Sequence, residues 1–166
     1  MIFGTPFEFA VFYELLEKTE DDYWKYGIFL FFIEDEIYPA KGSSYTLSMA
    51  MDYLKDSQQE IISCEENKLD LSIGDLELLK DLAHSHGMIL DSDPDDFELS
   101  DSQPVGVYLS PTEISDTGFY LFYYPKDNDE EYLIYSTDYG KTAKKTILQR
   151  GYVSSVIEKL PCRESI

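Results

Sequence analysis

Hydrophobic and polar positions alternate from Phe7 to Leu15, where Phe7, Phe9, Val11, Tyr13 and Leu15 are interleaved with Glu8, Ala10, Phe12 and Glu14. That period of two predicts a β-strand. A polar interval, Glu17 to Asp22, leads to Tyr26-Gly27-Ile28-Phe29-Leu30-Phe31-Phe32-Ile33, an almost unbroken run of apolar, aromatic and β-branched residues suited to a pleated surface. Met1 to Glu34 thus reads as one strand pair around which the rest of the chain is arranged. Because the second strand lacks a polar face, it is expected in the middle of a sheet with both faces covered.

Ile37-Tyr38-Pro39 predicts a short edge strand closed by proline. Leu47, Ala50, Met51 and Leu54 recur at helical spacing behind Ser43 and Ser44, predicting a helix from about Thr46 to about Gln59 with a serine near its start. Leu76, Leu79, Leu82 and Ala83 predict a second helix over Ile73 to His86, opened by a Ser72/Asp75 capping box and closed by Gly87 in a left-handed cap. Asp91 to Pro104 has no period and reads as a loop. Strand patterns resume at Val105–Leu109, Gly118–Tyr124, Glu131–Ser136 and Lys144–Gln149, with turns at Pro111–Thr117, Lys126–Asp129 and Asp138–Gly140, which implies an antiparallel meander. Gly151 opens a terminal helix that Pro161 stops. The expected class is α+β: one antiparallel sheet of about six strands with two or three helices mainly on one face, in a single domain spanning residues 1–166.

Composition narrows the function. Of 166 residues, 43% are hydrophobic, enough for a substantial core without staples. A formal charge of −20 opposes approach to phosphate backbones and anionic membranes and favours encounter with a basic partner. Neither direct nucleic-acid binding nor membrane association is expected. No stretch approaches the roughly 20 apolar residues of a membrane span. The opening MIFGTPFEFA has no basic segment ahead of an apolar run, and Cys64 and Cys162 form no paired motif, so reduced cysteines in a cytoplasmic protein are expected.

Little points to catalysis. His84-Ser85-His86 has metal-ligand character, but both residues fall in the last turn of a predicted helix, where a cation or a capping donor is favourable. Asp91, Asp93 and Asp95 resemble the start of a calcium loop, yet Asp96 stands where glycine is needed and Ser102 where glutamate is needed. There is no GxSxG elbow, and Gly140-Lys141-Thr142 lacks the glycine and spacing of a phosphate loop. No cofactor is expected, and the chain reads as a binding protein rather than an enzyme. The candidate contact residues are the acidic loop Asp91, Asp93, Asp95, Asp96, Glu98 and Asp101, with Tyr124 and the acidic turn Asp127, Asp129, Glu130 and Glu131. Aromatic anchors ringed by charge are what a protein-binding patch needs, Tyr23 and Trp24 beside Asp21-Asp22 included.

The opening MIFGTPFEFAVFYEL, the run WKYGIFLFFIEDEIYP and the closing LQRGYVSSVIEKLP together resemble the immunity protein 42 family, antidotes of bacterial polymorphic toxin and contact-dependent growth inhibition systems. The resemblance implies a cytoplasmic protein that binds the toxic C-terminal domain of its cognate effector one-to-one. Such toxins are frequently nucleases acting on transfer RNA, and some work with a translation elongation factor, which this protein would meet through the toxin. The family supplies no functional residue to carry over. A second reading, from charge alone, is a nucleic-acid-mimicking or chaperone-like acidic protein serving another basic host protein.

Overall fold

The computed structural model describes residues 1–166. The α+β class holds, but the strands form two antiparallel sheets rather than one. The first sheet runs β1 (Ile2–Thr5), β2 (Phe9–Lys18), β3 (Lys25–Ile33) and β4 (Glu36–Tyr38), with β5 (Ser44–Thr46) pairing the other half of the same edge of β3. The second is the expected meander: β6 (Val107–Tyr108), β7 (Tyr120–Pro125), β8 (Glu130–Ser136) and β9 (Lys144–Gln149).

Four helices complete the chain: α1 (Leu47–Ser63), α2 (Asp75–Ser85), the single turn α3 (Thr112–Ser115) and α4 (Tyr152–Glu158). Each sheet turns one face towards a shared core. Phe9, Val11, Phe29 and Phe31 enter it from the first sheet and Leu121, Tyr123, Leu133 and Tyr135 from the second. Leu47, Met51 and Leu54 of α1 and Val153, Val156 and Ile157 of α4 fill the same space. An aromatic chain crosses between the sheets, Phe29 to Phe31 at 5.3 Å, Phe31 to Phe119 at 5.8 Å and Phe119 stacked on Tyr38 at 5.1 Å. A second core lies on the opposite face of the meander, where Leu79, Leu82 and Ala83 of α2 cover Phe122, Tyr124, Tyr132 and Ile134. β7 and β8 are therefore the strands covered on both faces, with α2 on one side and the shared core on the other.

The opening segment departs from expectation in two ways. A strand precedes the hairpin, because Gly4 takes φ +100° and lets Ile2–Thr5 fold back on β2 through the Pro6-Phe7-Glu8 turn, so Phe7 and Glu8, expected in the strand, stand in the turn. More consequentially, β3 is covered on one face only. Its residues alternate between buried and half-buried along the whole strand, and Ile28, Leu30 and Phe32 join neither core.

Helix boundaries also moved. α1 runs on to Ser63, and Thr46 rather than a serine precedes it. The Glu113 carboxylate receives the Thr46 N–H at 2.7 Å and its hydroxyl at 2.8 Å, so α3 secures the start of α1 from outside. The Ser72/Asp75 box does not form: Gly74 precedes α2, and the Ser72 hydroxyl donates to Asp70 at 2.6 Å instead. Gly87 does end α2, at φ +77°.

Candidate protein-binding surface

The acidic loop is pinned at the C-terminal end of α2. The Asp93 carboxylate turns inward, accepting from the Leu90 N–H at 2.8 Å and lying 2.8 Å from His84 Nε2. Burial alone would raise the Asp93 pKa, but the hydrogen bonds from Leu90 and His84 outweigh it and hold the carboxyl below its ordinary value. Phe97 stacks on the His84 ring at 4.3 Å. His86 Nε2 lies 3.0 Å from the Val105 carbonyl, so the two histidines tie two ends of the loop down instead of converging on one point. With Asp93 engaged inside, the carboxylates this loop offers to solvent are Asp91, Asp95, Asp96, Glu98 and Asp101.

The loop is fastened to the β8–β9 turn, where the Asp91 N–H donates to the Tyr139 carbonyl at 3.0 Å and the Ser92 hydroxyl to the Gly140 carbonyl at 2.6 Å. The acidic turn Asp127–Glu130 closes the other end of the meander, between β7 and β8. A strand the length of β8 spans about 20 Å. The Asp91 end of the loop and the acidic turn therefore stand at opposite ends of the second sheet, and the loop runs from the first towards Val107, which pairs with Tyr123 near the second. In the turn, Asp127 Oδ1 accepts the N–H groups of Asp129 and Glu130, each at 2.8 Å, and those bonds lower its pKa. Glu130 pairs with Lys126, and Asp129 is the exposed carboxylate of the turn that no side chain pairs.

Two expected contact residues are inside the protein. Glu131 is completely buried, and its carboxylate receives the Gly151 and Val153 N–H groups at 2.8 Å each and the Tyr123 hydroxyl at 3.0 Å. It caps the free N–H groups at the start of α4, the end of a helix that favours negative charge. Tyr124 is also fully buried, and its hydroxyl accepts from the Lys68 and Leu69 N–H groups at 2.9 and 3.1 Å. Both sit on central strands, so they act through the fold and not as contacts. Tyr123 and Tyr132, which flank the same turn, are core residues too.

Aromatic surface survives elsewhere. Tyr23 and Trp24 remain 52% and 38% exposed in an edge-to-face pair 5.0 Å apart. Arg163 lies 4.2 Å over the Tyr23 ring and donates to the Tyr23 carbonyl at 3.1 Å, fastening this loop to the end of the chain. A groove of about 490 Å³ is lined by Glu60, Cys64, Glu65, Lys68 and Val105. Burial pushes the Cys64 thiol up from its ordinary pKa, which disfavours the thiolate a nucleophile would need. No group of three His, Cys, Asp or Glu side chains is placed to hold a metal ion, and no helix is long and apolar enough to cross a membrane.

The family model described as immunity protein 42 matches residues 1–162. A curated relative, an uncharacterised protein of Pasteurella multocida, is 28% identical over 156 residues, which is 87% of this chain and 88% of that protein. Among solved structures, CdiI from Burkholderia dolosa has the same fold, with a TM-score of 0.73 at 21% identity over 95% of this chain and 96% of that one.

Proposed function

The chain belongs to the immunity protein 42 family, and from that premise we propose that it binds and neutralises the toxic C-terminal domain of a contact-dependent inhibition effector in a one-to-one complex. The toxin is a basic nuclease acting on transfer RNA, and any elongation factor it uses is met through the toxin. The supporting observation is electrostatic. A charge of −20, with Asp91, Asp95, Asp96, Glu98, Asp101 and Asp129 open to solvent, suits a partner that must itself be positive where it holds phosphates. Such fields accelerate encounter and keep the wrong partners away. The protein acts as an inhibitor by occupying the toxin, and works in the cytoplasm, where the toxin's substrate lies.

Because the accessible acidic residues run from Asp91 beside the β8–β9 turn to Asp129 in the β7–β8 turn, they act as a distributed field more than as one contact. Single charge changes should be tolerated, and several together should slow association. Co-expression with the effector C-terminal domain encoded beside the gene tests the reading. Survival with co-purification of the pair is expected; death of the cells with no recoverable complex would overturn it.

A further inference from the structure

The outer face of the first sheet is apolar and uncovered. Register places Ile2, Phe12 and Leu30 in one row across β1, β2 and β3, and Ala10, Phe32 and Ile37 in the next across β2, β3 and β4. Phe12, Leu30 and Phe32 are half-buried by their sheet neighbours, while Ile2 and Ile37 are each 45% exposed. All four helices are committed elsewhere: α1, α3 and α4 send their buried side chains into the shared core and α2 into the second one. Phe7, 72% exposed, stands in the turn at one end of this face.

Charge around the face selects its occupant. Glu14 pairs with Ile28 and Glu17 with Tyr26, so both carboxylates share the apolar surface, and Glu8, Glu34 and Asp35 crowd the turn end, where the Glu34 N–H meets the Glu8 carbonyl. From Met1 to Tyr38 there are nine carboxylates and two lysines, and both lysines are engaged by Asp22, at 2.9 and 3.7 Å. A second copy of this chain would bring an identical acidic rim against this one. A basic protein with an apolar centre would meet complementary charge at the rim and lose apolar exposure at the middle, the usual anatomy of an interface.

We infer that this face is the docking surface for the basic toxin domain, with the row Ile2–Phe12–Leu30 as its apolar anchor and the acidic loop and turn of the second sheet serving in long-range steering. The inference rests on the immunity reading and assigns that reading a surface.

The test compares capture of the effector C-terminal domain by the wild-type protein, by the double variant Ile2→Lys/Ile37→Lys, by Leu30→Lys, and by Ile147→Lys as a control on the exposed side of β9. Because Ile2 and Ile37 are already 45% exposed, their replacement is expected to leave the melting temperature unchanged even if Leu30→Lys fails to fold. The expected result is an affinity at least about 30-fold weaker for the face variants with the control unaffected, the size of a lost hot spot. Wild-type affinity in the double variant would overturn the assignment. So would a dimer of the free protein that the same substitutions dissolve while toxin binding persists. If the wild-type protein captures no toxin domain, the immunity reading falls first and the docking face with it.

Discussion

The Tyr123 hydroxyl donates to Glu131 Oε2 at 3.0 Å across neighbouring strands, in a position closed to solvent from both sides. The same carboxylate holds the Gly151 and Val153 N–H groups, so one side chain joins β7, β8 and the start of α4. Glu131→Gln would set an amide N–H against donors at one of these positions. The loss of a buried charged hydrogen bond costs about 2–3 kcal/mol, a fall in melting temperature of roughly 5–10 °C for a chain of this size. Tyr123→Phe, which removes a donor and leaves the other two bonds in place, should cost about 1 kcal/mol. Calorimetry on the two variants measures both, and equal losses would contradict the capping role.

Gly27 lies opposite Leu15 at the irregularity between β2 and β3, and a Cβ there would fall 1.9 Å from the Glu14 carbonyl oxygen. Backbone cannot yield as a flexible side chain does, so Gly27→Ala should lower stability by about 2–3 kcal/mol. Denaturant titration against the wild-type protein checks it, and an unchanged midpoint would show that the strands separate freely at that point.

Burial raises the pKa of Tyr53, Tyr123 and Tyr135 and pushes Tyr108 up to about 12. Below the ordinary tyrosine value of 10.0 these groups are protonated in the folded and unfolded chains alike and add no pH dependence. Above it the unfolded chain releases protons that the native protein keeps, so stability falls as pH rises. Tyrosinate absorbance should show a buried class that appears only together with unfolding; release of those protons from the folded chain near the ordinary value would contradict it.

The steering account predicts that the association rate with the toxin domain falls steeply as salt is raised from low to physiological strength, with the dissociation rate changing less. Stopped-flow measurements across that range decide it. A rate indifferent to salt would remove the −20 charge from the mechanism.

Much of the architecture could be read from the chain because each signal was local. Alternation marked β2, helical spacing with Gly87 marked α2, turn clusters marked the meander, and Gly151, at φ +86°, opens α4. What escaped depended on partners distant in sequence. The turns join β6 to β9 in one meander, but nothing in Ile37-Tyr38 or Val107–Tyr108 says that β4 and β6 stay unpaired, so two sheets read as one. Glu131 follows an acidic turn and looks solvated; only the arrival of Gly151 and Val153, twenty and more residues later, makes its burial favourable. The apolar run of β3 was visible, but the rule that such strands are covered on both faces fails here, and that failure is what marks the outer face of the first sheet for a partner.

Titrating the purified toxin domain with this protein while following the toxin's own activity tests the central claim most directly. Activity should fall linearly and vanish at one equivalent, as expected for tight one-to-one capture. Full activity in the presence of a several-fold excess would contradict it.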